Sequence, residues 1–164
     1  MKKLLSILGA ITLVGTSTTS LVACNKPQYS EDELKKEKEK HKIDTKDQTI
    51  KNNLEWMASQ EKPFNKIDNK YYYVVWRGDK SNDWKIVKFK NFELKEKVLD
   101  NYDKYELKTS HFGGDLFIYK NGFVSYDWNK DNGTYFKSVY RWNLDANEPD
   151  LIIDENGNVK VKGE

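Results

Sequence analysis

Apolar and polar positions along the chain change period several times. An apolar run, Leu4 to Val14, comes first. A highly charged stretch follows, in which Leu34 is the lone apolar residue between positions 30 and 42. Ile50, Leu54, Met57 and Ala58 then recur at i, i+4, i+7 and i+8, which predicts a helix over 46–61 that Pro63 limits. Tyr71 to Trp76 is apolar on both faces, the pattern of a strand covered on both sides. Trp84 to Lys90 alternates Val87 and Phe89 with lysines, and with the polar loop before it predicts a hairpin.

Leu94, Val98, Leu99, Tyr102 and Tyr105 follow helical spacing and predict a helix over 93–105. Leu116 to Tyr119 and Phe123 to Trp128 flank Asn121-Gly122, a strong short-range hairpin signal. Tyr135 to Trp142 is the next strand. Leu151 to Ile153, a turn over 154–158, and the alternating Val159 and Val161 predict a last hairpin. The expectation is an α+β fold: a mainly antiparallel sheet of about six or seven strands with one or two packed helices, preceded by a signal peptide and a charged stalk.

The charged stretch opens with a capping box. Ser30 is the cap, and Glu33 reaches back. Acidic residues fill its first turn and basic residues its last, which suits the helix dipole. Without an apolar stripe it has little to pack with. A charged, partly helical stalk is therefore expected through residue 44. Thr45 and Gln48 read as a second capping box.

Leu4 to Val14 is too short to cross a membrane, which takes about 20 apolar residues. Lys2 and Lys3 precede it, and small polar residues, Gly15 to Ser20, follow it. These are the parts of a secretory signal. Leu21-Val22-Ala23 then leads directly into Cys24, which is the one cysteine of the chain. That pattern resembles the bacterial lipobox. The whole opening, MKKLLSILGAITLVGTSTTSLVAC, resembles the signal peptides of mollicute lipoproteins, especially those of spiroplasmas. The abundance of lysine and asparagine, with arginine limited to Arg77 and Arg141, fits an A+T-rich coding sequence.

The resemblance implies that Leu21, Val22 and Ala23 are read by the lipoprotein signal peptidase and that residues 1–23 are removed. It implies that Cys24 carries a diacylglyceryl group on its sulfur. No cofactor is implied beyond that covalent lipid. The expected address is the outer face of the cell membrane of a wall-less bacterium. Each buried CH₂ contributes about 0.8 kcal/mol, so two or more acyl chains anchor stably. The expected organisation is signal peptide 1–23, lipidated stalk 24–44 and one globular domain 45–164.

Composition narrows the role of the domain. The 164-residue chain carries a formal charge of +2, and Lys2 and Lys3 leave with the signal. The mature chain then balances 26 basic against 26 acidic side chains. A nucleic-acid binder would show a clustered basic excess, so nucleic acid is not an expected partner. His41 and His111 are the only histidines, and a lipidated Cys24 is no ligand, so no zinc set is expected. Asp127, Asn129 and Asp131 begin a calcium-loop spacing, but Asn132 stands where that loop needs glycine. Arg77-Gly78-Asp79 matches a short adhesive tripeptide, and turn chemistry explains it better. A hydrolytic carboxylate pair is not singled out among 26 acidic residues.

The aromatic residues remain. Val124, Tyr126 and Trp128 are expected on one side of their strand, and Phe136, Tyr140 and Trp142 on one side of theirs. Core packing is the favoured reading, and Trp84, Trp128 and Trp142 are the candidate ligand contacts. The expected function is a non-catalytic interaction or structural module, touching the membrane through its anchor and a host or cell-surface protein or carbohydrate through its body. The alternatives are a solute-binding accessory of a transporter and a small surface hydrolase.

Overall fold

A computed structural model describes residues 28–110 and 115–164. Residues 21–24 and His111 therefore lie outside the described residues. The described chain forms two α-helices and ten strands. Helix α1 is Glu31–Lys40 and helix α2 is Gln48–Asn53. The strands are β1 (Leu54–Trp56), β2 (Tyr71–Trp76), β3 (Lys85–Lys90), β4 (Lys97–Tyr102), β5 (Tyr105–Thr109), β6 (Leu116–Lys120), β7 (Phe123–Asp127), β8 (Phe136–Trp142), β9 (Leu151–Ile153) and β10 (Val159–Val161). One antiparallel sheet has the order β1-β8-β2-β3 and another the order β4-β5-β6-β7, with β9 and β10 pairing as a separate hairpin.

Strand β2 lies at the centre of the fold because both of its faces are apolar. Tyr72, Val74 and Trp76 point into one core, with Leu107, Leu116, Ile118 and Trp128 from the second sheet. Tyr73 and Val75 point into another, with Ile50, Trp142, Leu151 and Val159. The result is three layers: the meander β4–β7, the central sheet, and the β9–β10 hairpin with α2. The buried phenols are satisfied. Tyr72 donates to Asp68 at 2.6 Å, and Tyr73 donates to the Pro149 carbonyl at 2.6 Å. Burial raises the pKa of both hydroxyls, so they stay neutral.

Three strands were not expected from the sequence. The helix expected over 46–61 stops at Asn53. Asp47 caps it by accepting from Thr49 and Ile50, and the Thr45 hydroxyl accepts from the Asp47 N–H in place of the expected box. At Leu54 the backbone turns extended and pairs with β8, Leu54 opposite Trp142. Ile50, Leu54, Met57 and Ala58 are all buried as their spacing foretold, yet Met57 enters the opposite core from Ile50 and Leu54.

The helix expected over 93–105 is instead β4, a turn and β5. Asp103, at φ +54°, makes the turn that sets Tyr102 opposite Tyr105. A strand bulge also corrects the expected grouping of aromatics. Val75 pairs with Ser138, but Trp76 pairs with Phe136, which skips Lys137. Phe136 thus falls in the core of the second sheet, while Tyr140 and Trp142 face the β9–β10 hairpin. The Asn121-Gly122 turn is as expected: both residues have positive φ, and Lys120 sits opposite Phe123.

The expected solvated stalk also differs. Helix α1 has the foreseen capping box, with Ser30 and Glu33 bonded reciprocally, but it rests on the domain. Lys38 bonds Glu55 and, at 2.6 Å, Glu61. The His41 ring stacks on Trp56, and Tyr140 donates to the His41 carbonyl at 2.8 Å. The Tyr29 backbone N–H donates to Gln60 Oε1 at 2.7 Å, and Gln60 Nε2 donates to the Tyr29 carbonyl at 2.8 Å. Ile43 and Thr45 are buried.

Candidate functional site

The three tryptophans named as candidate ligand contacts have structural places. Trp128 is 3% exposed and Trp142 is 1% exposed. Trp142 donates its indole N–H to the Ala146 carbonyl at 2.9 Å and belongs to the core between β8 and the hairpin. Trp128 closes the other core, and its backbone N–H bonds Leu116. These two candidate ligand contacts are core side chains. Trp84 is half-buried. The Arg77 guanidinium lies 4.2 Å from the centre of its ring and the Lys137 ammonium 5.9 Å, and the ring packs against the β9–β10 core beside Gly157.

The short motifs are likewise occupied. Arg77 donates to the Thr134 and Lys80 carbonyls, and Asp79 accepts from Ser81 and from the Tyr105 hydroxyl. Both side chains of the tripeptide are held by the fold while staying partly exposed. The Asp131 carboxylate, part of the calcium-like spacing, accepts from the backbone N–H groups of Gly133, Tyr135 and Phe136 at 2.9–3.2 Å. It pins a loop. Among the described residues no group of three or more His, Cys, Asp or Glu is placed to hold a metal ion.

That pinned loop shapes a groove. β7 is an edge strand, and after Trp128 the chain doubles back through Asn129–Thr134. Asp127 nucleates the bend, accepting from Asn129 N–H through its carboxylate and from the Lys130 and Asp131 N–H groups through its carbonyl. The return sets Tyr135 on Tyr126, with ring centres 3.4 Å apart and 14° from parallel. The hydrogen bond to Tyr135, with burial, pushes the Tyr126 hydroxyl up to about 12. The groove between loop and strand has a volume of about 470 Å³. Phe117, Val124, Tyr126 and Tyr135 supply its apolar surface, and Lys80, Asp127, Lys130, Asn132 and Thr134 its polar surface.

Behind the groove, Asp115 at the start of β6 meets Asp127. Burial pushes the Asp115 carboxyl up, to about 7. The Leu116 N–H opposes that rise, and the neighbouring Asp127 carboxylate adds to it. The structure thus singles out a carboxyl pair that sequence spacing left among 26 acidic residues.

A second cavity, of about 680 Å³, lies between the segment after α1 and the β9–β10 hairpin. Five lysines and three acidic residues line it. Lys40, Lys42 and Lys160 are paired with Glu37, Glu39 and Asp154, so most of its positive charge is already balanced.

No protein-family profile matches the chain, and no solved structure matches it. Over 90 residues, 55% of its length, the chain is 29% identical to "Uncharacterized protein ORF1" of Spiroplasma virus SpV1-R8A2 B. The match spans 9% of that viral protein. The similarity is thus to a short segment of a much longer spiroplasma virus protein. Among the described residues no helix is long and apolar enough to cross a membrane.

Proposed function

We propose that this protein is a lipid-anchored surface protein whose β-rich body is a non-catalytic binding module. The observation that carries the reading is Leu21-Val22-Ala23-Cys24, six small residues after the apolar run 4–14. On this reading Cys24 holds diacylglycerol, and the body faces outward from the cell membrane. The similarity to a spiroplasma virus protein supports the mollicute setting that the signal resembles.

The docked α1 gives the anchor a geometry. Tyr29 is fixed to Gln60, and only five residue steps separate it from Cys24. Five steps reach at most about 18 Å, at up to ~3.6 Å each. The body therefore sits close to the lipid surface, with α1 folded against it. Detergent partitioning with intact mass tests the reading: the protein should lack residues 1–23, carry lipid on Cys24 and enter the detergent phase. An unmodified Cys24 in an aqueous protein rejects it.

The groove at Tyr126 and Tyr135 gives the module a place to bind. A solute-binding accessory would use the same groove. The surface-hydrolase alternative draws on one observation, the raised pKa of Asp115 beside Asp127. A hydrolase would show turnover that Asp115→Asn abolishes, whereas a binding module shows none.

A further inference from the structure

The groove along β7 has chemistry that selects among ligand classes. Its charged lining is balanced, Lys80 and Lys130 against Asp127 and Asp131. A balanced lining gives no net attraction to a strongly charged ligand. Phe117 stands between buried Leu116 and Ile118, so alternation turns it to the opposite face of the sheet. Val124 beyond it is 54% exposed. The groove thus wraps an edge strand, with flat apolar surface beside a carboxylate and an amide. Ligands with an apolar ring face and a rim of hydroxyls match that surface: the face packs on aromatic carbon, and the hydroxyls pair with planar polar groups. The Asp131 bonds to three backbone N–H groups hold the loop in place beforehand, so little ordering is required on binding.

We propose that the β7 groove, built on Phe117, Val124, Tyr126, Asp127 and Tyr135, is a binding site for a neutral carbohydrate. The proposal rests on the reading of the body as a binding module and gives that module its ligand class. An extended peptide added to the β7 edge is the competing occupant. The balanced charge and the apolar surface of Phe117 and the exposed Val124 favour the sugar.

The test applies the full chain, labelled and held in detergent micelles, to a printed panel of neutral and acidic oligosaccharides and to an immobilised peptide library. The expected result is saturable binding to at least one neutral glycan. Binding should weaken at least tenfold in Phe117→Ala and in Val124→Asp. The second variant alters an exposed position, so an unchanged melting temperature separates lost binding from lost folding. Absence of neutral-glycan binding, binding to acidic glycans alone, binding to peptides alone, or unchanged binding in both variants overturns the proposal. Cys24→Ala separates the two claims. It should lose the membrane and keep the sugar; if it keeps the membrane, the anchor reading fails while the groove stands.

Discussion

The His41 imidazole lies flat on the Trp56 indole, ring centres 4.3 Å apart and 13° from parallel. This contact closes the C-terminal end of α1 onto β1, while Lys38 clamps its middle to Glu55 and Glu61. Burial works against the Lys38 charge, and the two carboxylates outweigh it and hold its pKa above the ordinary value. Such a partly exposed ion pair contributes up to about 1 kcal/mol. The double variant Lys38→Ala/His41→Ala should leave the body folded and release the helix. Amide exchange in Glu31–Lys40 should then approach the rate of an isolated short helix, which is marginal in water. Unchanged protection there would show that α1 is held by other contacts.

Trp142 and Trp84 should respond differently to truncation. Trp142 is enclosed, with its N–H bonded, so Trp142→Ala should cost about 3–5 kcal/mol. Trp84 is half-buried, and Trp84→Ala should cost clearly less. Urea unfolding of the two variants checks the order. Equal costs would place Trp84 deeper in the fold than its exposure indicates.

Gly157 has φ +78°, and a Cβ built on it would stand 2.7 Å from the Trp84 ring. Gly157→Ala therefore meets both an unfavourable backbone region and a ring. The expected cost is about 1–3 kcal/mol, read as a lower urea midpoint. Gly122 also has a positive φ but has open space around its Cβ position, so Gly122→Ala should cost less.

Asp115 predicts a pH dependence. An aspartate in the unfolded chain titrates near pH 3.9. In the fold, burial and the Asp127 carboxylate push Asp115 up to about 7. Between those values the folded protein holds a proton that the unfolded chain has released. The stability contributed by this group is full below about pH 4 and is lost as pH rises through 7, with a slope of at most ~1.4 kcal/mol per pH unit. Asp115→Asn should remove that slope. Subtracting urea-derived stabilities of the variant from those of the wild type, pH 4 to 8, isolates it from the other carboxylates. A flat difference contradicts the raised Asp115 pKa.

The residues themselves show what the sequence could reveal. The two-sided apolar run of β2, the Asn121-Gly122 turn and the alternating lysines of β10 act through near neighbours, so each was legible. Leu54–Trp56 was not, because its strand state depends on β8, almost ninety residues away. Residues 97–105 read as a helix because Val98, Tyr102 and Tyr105 share its period by coincidence. Asp103, a turn former, was the signal against it. The bulge at Lys137 regrouped the aromatics of β8, and no local pattern marks it. Asp127 and Asp131 did mark the groove loop, through a spacing whose carboxylates bond backbone N–H groups. The pairing of Tyr126 with Tyr135 arises only when that loop closes.

The lipid anchor is tested by intact mass with detergent partitioning, on the native protein beside Cys24→Ala. The wild type should begin at Cys24, carry diacylglyceryl mass and enter the detergent phase, while the variant should do none of these. A wild type that keeps residues 1–23, or has a free Cys24 thiol and stays in the aqueous phase, contradicts it.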